Sequence, residues 1–181
     1  MFGGLNSFTL LCIPGFILAG NLMNSSGITD RIIHFANSIL GHIRGGLGLA
    51  NVGASMGFAG ISGTALADTA SIGSVMIPAM KKQGYGAGFS AAVTASSSVV
   101  GPIIPPSLPM IMVGTLAALS IGDLFVAGII PGVLLTLGLM IPTYLISVKR
   151  NYPKGERSSL KEIAVSFKDA FWALFMTIII L

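Results

Sequence analysis

The sequence predicts an all-α integral membrane protein that crosses the bilayer several times and contains a re-entrant helical hairpin and a discontinuous helix. Hydrophobic residues make up 53% of the 181 residues and charged residues only 9%, whereas about a quarter of a typical soluble domain is charged. The charges lie in short clusters between apolar runs. One apolar run also holds three prolines within residues 102–106, where a regular helix is broken.

The composition also restricts the partners and the environment of the chain. Cys12 is the single cysteine, so no disulfide forms within the chain. The net charge is +4, but no basic stripe with interleaved aromatic residues is present. We therefore expect the lipid bilayer as a partner and no nucleic acid.

The two ends of the sequence differ in what they indicate. The first residues lack the positively charged region that precedes a cleavable signal peptide. The chain stops inside an apolar run, residues 170–181, whereas a spanning helix needs about 20 residues. We interpret the sequence as part of a longer protein that is cut within a transmembrane helix.

The first elements are an apolar segment and an amphipathic helix. Residues 8–23 form the apolar segment, interrupted by Pro14. Residues 29–44 place apolar and polar side chains on opposite helical faces, which is typical of a helix that lies at the membrane interface. The apolar face consists of Ile32, Ile33, Ala36, Ile39, Leu40 and Ile43.

Residues 45–82 predict a re-entrant hairpin. A glycine-rich arm over 45–60 is followed by the polar stretch ISGTALAD, residues 61–68, and a second apolar arm over 69–80. The second arm would be about 18 Å long against a hydrocarbon core of about 30 Å. We therefore expect the chain to reverse inside the membrane, with the hairpin tip at residues 62–64.

Residues 86–119 predict a discontinuous helix. One half covers 86–100, the segment GPIIPPS at 101–107 breaks the helix, and the second half covers 108–119. The two halves together cross the bilayer, and neither is long enough to do so alone.

The remaining chain predicts a regular span and an interfacial helix. Residues 124–148 carry no charge. A polar connector follows, in which Ser159 and Glu162 have the spacing of a capping box. Leu160, Ile163, Ala164 and Phe167 then give a second interfacial helix, over residues 159–168.

The distribution of charge predicts the topology. If 8–23 runs inward, the hairpin enters and leaves from inside, and 124–148 returns inward, all ten Lys and Arg residues lie on the inner side and Asp123 marks the outer side. This arrangement obeys the positive-inside rule. If two full spans replaced the hairpin, the chain after residue 82 would still continue from the inner side, so the charges do not distinguish the two arrangements. The predicted organisation is 1–44, an apolar helix and an interfacial arm; 45–119, the hairpin (45–82) and the broken helix (86–119); and 120–181, the span, the second arm and the start of a further helix.

The two interruptions point to one binding site at mid-membrane. Broken backbone survives in a bilayer only where protein buries it or where it lines a cavity, and half-helix ends there attract ions. Hydroxyl groups near both breaks are hard oxygen ligands suited to sodium. They belong to Ser62, Thr64, Ser97, Ser98 and Ser107.

Structural alternatives exist for each of these features. The prolines can be simple kinks, and Ser96 to Ser98 can bond carbonyls one turn back. Gly53 and Gly57 favour close helix packing. Asp68 is an intramembrane carboxylate, for which ion binding and capping of the second arm are both open.

Two motifs resemble one transporter family. The stretches GFAGISGTALADTASIGSVMIPAMKKQGY, from residue 57, and ASSSVVGPIIPPSLPMIMVG, from residue 95, resemble the large membrane subunit of tripartite ATP-independent periplasmic (TRAP) transporters. The earlier stretch FTLLCIPGFILAGNLMNSSGITDRI, from residue 8, is similar to a helix and arm of that family. The resemblance implies an elevator-type member of the ion transporter superfamily with two inverted repeats. By that resemblance, this sequence carries most of the first repeat and, within 120–181, the start of the second, and 1–44 supplies a scaffold helix and arm.

The resemblance also implies a function and a set of partners. It implies a sodium-coupled permease of the cell inner membrane that imports carboxylate-bearing solutes such as sialic acids, C4-dicarboxylates or sugar acids. The partners would be a periplasmic substrate-binding protein and a small membrane subunit. Sodium would be the coupling ion, without another cofactor, and the two interfacial helices would brace a static scaffold against the moving part.

The motifs assign candidate residues to the sodium and substrate site. The site would lie between the hairpin tip and the broken helix. Its residues would be Ser62, Gly63, Thr64, Asp68, Ser97, Ser98, Gly101 and Pro102.

Other functions fit the sequence less well. A secondary anion transporter of the same superfamily without a binding protein is the main alternative. GISG at residues 60–63 resembles the serine motif of rhomboid-type intramembrane proteases, but both histidines precede Ser62, whereas those enzymes need a later histidine. SIGD at 120–123 departs from the G-x-G-D motif of aspartyl proteases. No P-loop pattern is present, so we expect neither an enzyme nor an ATPase.

Overall fold

A computed structural model of the protein describes Pro14, Leu18, Leu22 and residues 26–155 and 157–180, with backbone only at 172–174 and 176–180. The segment predicted at 8–23 lies outside these residues except for the first three. From residue 26 onward the described chain forms seven α-helices and a 3-10 turn. They are α1 (Ile28–Leu40), α2 (Gly46–Ser62), α3 (Ala65–Lys82), α4 (Ala87–Ser97), the 3-10 turn (Ser98–Val100), α5 (Leu108–Ala117), α6 (Ile121–Lys149) and α7 (Leu160–Ile180).

Helix α1 corresponds to the amphipathic helix predicted at residues 29–44, but it ends at Leu40, where Gly41 caps it, so residues 41–44 lie outside it. Ile32, Ile33 and Ala36 are buried in a cluster that also contains Phe58 of α2 and Met76 of α3. The helix follows Gly27, whose positive φ of 76° suits glycine. The apolar face of this arm therefore packs against both helices of the hairpin.

The second arm of the hairpin is longer than the sequence predicted. Helix α3 has 18 residues, about 27 Å, because it begins at Ala65, within the second half of the polar stretch at 61–68, and continues to Lys82. Thr64 caps its N-terminus, and such a cap satisfies a backbone N–H that the first turn of a helix would otherwise leave without a partner. The arms are thus similar in length, since α2 has 17 residues.

The discontinuous helix has the predicted division. Helix α4 ends at Ser97, the 3-10 turn follows, and α5 begins at Leu108. Ser107 caps α5 by accepting a hydrogen bond from Met110 N at 3.3 Å. Residues 101–107, the break, thus separate two helices that are each too short to span a bilayer.

Helix α6 packs directly on the hairpin and the break. It is the one helix among the described residues that is long and apolar enough to cross a membrane. At Gly132 an added Cβ would lie 2.4 Å from Ile104 Cγ1, and at Gly128 it would lie 2.5 Å from Ile103 O. The two glycines therefore let the break approach the α6 backbone. This contact joins parts of the chain that the sequence assigned to different regions.

Helix α7 is continuous from the second interfacial helix into the final apolar run. Glu162 Oε2 accepts a hydrogen bond from Ser159 N at 2.8 Å, which is one half of the predicted capping box. The Phe167 ring lies 5.5 Å from that of Phe35 on α1. The two predicted arms therefore contact each other.

Two loops that link these elements form a short backbone bridge. Gly45 N donates to Pro153 O at 3.2 Å, and Gly155 N donates to Gly41 O at 3.1 Å. Nearby, the Tyr85 and Tyr152 rings stack with centroids 4.3 Å apart. The end of α6 is thereby tied to the loops at the start of α2 and α4.

Candidate functional site

The hairpin reverses at residues 62–64, where the sequence predicts the tip. Gly63 has a positive φ of 59°, and its N–H bonds Ala59 O at 3.1 Å, which is a common way for a helix to end. Thr64 is extended, and its hydroxyl accepts a hydrogen bond from Ala67 N at 3.3 Å. One residue thus ends α2 and the next begins α3.

The break is held by its own hydroxyl and by backbone turns. Ser107 Oγ donates to Pro102 O at 2.6 Å, so this side chain closes the break while it caps α5. Gly101 N donates to Ser98 O at 3.0 Å. The proline-rich segment therefore has a defined conformation and is more than a kink in one helix.

The tip and the break are in direct contact. Leu108 N donates to Gly63 O at 3.3 Å. A Cβ added to Gly101 would lie 3.1 Å from both the carbonyl carbon and the oxygen of Thr64. The backbone of the break therefore packs against that of the tip, and only a residue without a side chain fits there at ordinary distances.

Four helix ends meet at this contact. Helices α3 and α5 begin here, whereas α2 and the 3-10 turn that extends α4 end here. Helix N-termini present unpaired N–H groups to anions, and C-termini present carbonyls to cations. The arrangement can thus hold an anion and a cation side by side.

The predicted hydroxyl groups do not all lie at the contact. Ser62 Oγ lies at the tip and donates to Thr64 O at 3.4 Å. Ser98 Oγ donates to Thr94 O at 2.8 Å, as the alternative of bonding one turn back predicted. Ser97 Oγ shares a hydrogen bond of 2.8 Å with Ser55 Oγ, so it lies between α2 and α4.

Asp68 does not cap α3, so the capping alternative is wrong. The carboxylate is completely buried, and neither of its oxygens has a hydrogen-bond partner. A buried carboxylate without a partner is costly unless a proton or a cation neutralises it. Asp68 therefore remains a candidate for binding a positively charged ligand.

The sequence reasoning missed a polar contact between α2 and α4. Asn51 Nδ2 donates to Thr94 Oγ1 at 2.7 Å, and both residues are completely buried. Asn51, Ser55 and Ser62 have helical spacing and were the available signal. The pairing of Asn51 and Ser55 with α4 depends on how the two helices are rotated, which the sequence does not reveal.

The family model for the DctM component of tripartite ATP-independent periplasmic transporters matches residues 1–181. A sialic acid TRAP transporter permease protein of Haemophilus influenzae is 48% identical over 98% of this chain and 29% of its own length. A sialic acid TRAP transporter large permease protein of Vibrio cholerae is 45% identical over 100% of this chain and 42% of its own length.

A third relative is named for a different substrate. The C4-dicarboxylate TRAP transporter large permease protein of Pseudomonas aeruginosa is 41% identical over 96% of this chain and 41% of its own length. The chain thus spans less than half the length of these relatives, all of which are named as permeases rather than enzymes. The chain belongs to the DctM component family of TRAP transporters, as the resemblance in its sequence predicted.

Proposed function

We propose that the chain forms part of a sodium-coupled secondary transporter that imports carboxylate-bearing solutes with a periplasmic binding protein and a small membrane subunit. The observation that carries the proposal is the contact of the hairpin tip with the break, made by Leu108 N and Gly63 O. Two capped helices begin there, at Thr64 and Ser107. Interrupted helices of this kind are typical of ion and substrate sites in secondary transporters.

The residues at the contact fit sodium by their chemistry. Carbonyl and hydroxyl oxygens are the hard ligands that alkali cations prefer, and a carbonyl that accepts one hydrogen bond keeps a second lone pair. The groups that would hold the ion are the tip residues Ser62, Gly63 and Thr64, together with Ser98, Gly101 and Pro102 of the broken helix. Ser97 and Asp68 would act from the adjoining interface between helices.

The substrate class follows from charge and from the relatives. The N-termini of α3 and α5 favour an anion beside the sodium ion, and relatives are named for sialic acid, 2,3-diketo-L-gulonate and C4-dicarboxylate. Sialic acid is the first substrate to test, because the relatives at 48% and 45% identity carry that name.

The location and the motion complete the proposal. The permease would lie in the cell inner membrane with its basic loops in the cytoplasm, because α6 separates Asp123 at one end from Lys149 at the other. The hairpin would be re-entrant and would move with the broken helix as an elevator, while α1 and the start of α7 brace the static part.

Uptake in proteoliposomes tests this function. The permease that contains this chain is reconstituted with its small subunit and binding protein, and sialic acid uptake is measured with and without a sodium gradient. We expect sodium-dependent uptake that weakens in Ser62→Ala and Ser98→Ala. Uptake that is indifferent to sodium and to both substitutions would contradict the site assignment.

A further inference from the structure

An apolar groove of about 430 Å³ lies between α1, α2, the break and α6. On α2 it extends from Gly53 to Gly60, a rise of about 10 Å, and so reaches the last turn before the hairpin tip. Ile104 and Pro105 of the break also line it. The volume is that of an ordinary small-molecule site. We call this space the groove.

The G-x-x-x-G motif of α2 helps to form the groove. Gly53 and Gly57 predict close helix packing, and a Cβ added to Gly53 would lie 3.1 Å from Leu40 Cδ1 of α1. Both glycines nevertheless line the groove. Because a glycine places no side chain in the space beside its helix, the motif permits the contact with α1 and leaves room next to it.

A second cavity, of about 410 Å³, adjoins the groove at one residue. Ile39 of α1 lines both spaces. The polar side chains of the second cavity come from the end of α1 and from the connector before α7. They are Ser38, His42, Arg157 and Ser158, and we call them the polar patch.

The polar patch lies on the basic side of the molecule. Gly41, next to His42, accepts a hydrogen bond from Gly155 N at 3.1 Å, which ties the end of α1 to the connector that follows α6. By the positive-inside rule this side faces the cytoplasm. The groove extends from there to Val133, close to the middle of α6. It therefore leads from the cytoplasmic membrane surface into the hydrocarbon core.

The polar patch has the chemistry of a phosphate site. The Arg157 guanidinium is exposed and can bind two phosphate oxygens at once. The Ser158 hydroxyl and the His42 imidazole supply further donors. Glu162 of α7 already accepts a hydrogen bond from Ser159 N at 2.8 Å. The patch thus favours an anion.

We propose that the groove and the polar patch together bind one anionic phospholipid of the cytoplasmic leaflet. The phosphate lies at Arg157, His42 and Ser158, and an acyl chain passes Ile39 and lies in the groove as far as Ile104. A soluble phosphate would leave the groove empty, and an uncharged hydrocarbon would leave the patch without a partner. The proposal depends on the orientation in the membrane and not on sodium coupling or on the substrate.

The surrounding charge favours an anionic over a zwitterionic headgroup. Lys154 and Lys161 flank Arg157 in the sequence, and both are exposed. A zwitterionic lipid would bring its own positive charge to these cations, whereas an anionic lipid brings none. Basic pockets between membrane helices on the cytoplasmic side are known sites for anionic lipids.

Contact with bulk lipid is the simpler alternative. Helix α6 exposes Ile130 and Leu134 by 69% and 63%, and such side chains meet hydrocarbon whatever headgroup the lipid carries. The groove differs because four elements enclose it and because it ends at cationic and hydroxyl groups. Dependence on the headgroup therefore separates the two cases.

Photolabelling of the reconstituted permease complex tests the proposal. The complex is placed in phosphatidylcholine vesicles that contain a little phosphatidylglycerol with a photoactivatable acyl chain, and labelled peptides are identified by mass spectrometry. We expect labelled peptides from α2 around Met56, which lines the groove. Unlabelled phosphatidylglycerol should compete, and neither phosphatidylcholine nor inorganic phosphate should do so.

Two pairs of variants locate the headgroup and the acyl chain. Arg157→Gln should raise the phosphatidylglycerol content needed for half-maximal labelling about fivefold, which corresponds to about 1 kcal/mol for one basic residue. Lys82→Gln removes an exposed charge at the end of α3 and should leave it unchanged. Ile129→Trp should fill part of the groove and reduce labelling, whereas Ile130→Trp, beside it on the exposed surface of α6, should not.

Two outcomes would overturn the proposal. If no peptide of the groove is labelled, another part of the permease fills the groove. If a phosphatidylcholine probe labels it equally, or if Arg157→Gln and Lys82→Gln behave alike, the contact is with bulk lipid. Neither outcome bears on sodium-dependent uptake, so failure of this inference is distinguishable from failure of the proposed function.

Discussion

Individual glycines decide how closely the break approaches its neighbours. Gly101 fits against the Thr64 backbone, and Gly128 and Gly132 accommodate Ile103 and Ile104. A glycine in a helix is usually a weak point, but at these positions the absence of Cβ is what allows the contact. The geometry of the candidate site therefore depends on residues of α6 that contribute no ligand atom.

Gly132→Ala should destabilise the protein and weaken sodium binding. The new methyl group would lie 2.4 Å from Ile104 Cγ1, so the break must move, at a cost of about 1–3 kcal/mol for overpacking. Thermal unfolding and the sodium dependence of uptake measure the two effects. The control is Gly138→Ala in the same helix, where a Cβ meets nothing within 4 Å. Equal behaviour of the two variants would refute the role of this contact.

Single residues also show what the sequence could reveal. The positions of the tip and the break were predictable because glycine and proline act locally on the backbone. The partners of Asn51 and Ser97 were not, because they depend on the rotation of α2 against α4. Asp68 was recognised as a functional candidate, but the burial of its carboxylate without a hydrogen-bond partner emerges only when the helices are packed.

Helix caps are the element-scale feature that joins folding to the site. Thr64 begins α3 and Ser120 begins α6, and both accept a hydrogen bond through the side-chain oxygen. The same device explains why α3 begins earlier than predicted, since its first turn, Ala65 to Asp68, directly follows the Thr64 cap. The polar residues within 61–68 predicted a non-helical segment between the two arms. With the Thr64 cap in place, the second half of that segment is helical.

Thr64→Ala and Ser120→Ala should cost similar stability and differ in function. Each substitution removes a cap worth about 1 kcal/mol. Only Thr64 lies at the tip, so only Thr64→Ala should raise the sodium concentration needed for half-maximal uptake. Unfolding and uptake assays on both variants check this expectation. A shifted sodium dependence in Ser120→Ala would show that the effect is one of general stability.

The contact of α1 with α2 allows a test of the bracing role. A Cβ added to Gly53 would lie 3.8 Å from Ala36 Cβ, a spacing that suits a disulfide. In the pair Ala36→Cys and Gly53→Cys, oxidation should form the cross-link and stop uptake, and reduction should restore it. The two single variants under the same oxidant are the controls. Undiminished uptake with the cross-link fully formed would contradict a static α1 and a mobile hairpin.

At the scale of the whole molecule, the described helices form one packed unit rather than a series of separate spans. Helix α1 shares a buried cluster with α2 and α3, and α6 contacts α2, α4 and α5. The bridge between the loops at Gly45 and Pro153 joins the ends of these elements on the basic side. The sequence predicted most elements, but it could not show that α6 and the break share an interface.

The orientation of this unit can be measured by cysteine labelling. In a background with Cys12→Ser, Asp123→Cys should react with a membrane-impermeant thiol reagent added outside intact cells. Lys154→Cys should react only after the membrane is permeabilised, because α6 places the two positions on opposite sides. Labelling of Lys154→Cys in intact cells would show that the orientation is the opposite of the one predicted.

The close fit of Gly132 against Ile104 also has a consequence for biosynthesis. Helix α4 and the break leave the ribosome before α6 does, and neither α4 nor α5 is long enough to remain in lipid as a span of its own. The hairpin tip covers part of the break, but the carbonyl of Ile103 packs against Gly128 of α6, so the cover is complete when α6 is in place. We therefore expect the nascent chain to keep this segment shielded, by the insertion machinery or at the membrane surface, until α6 has been synthesised.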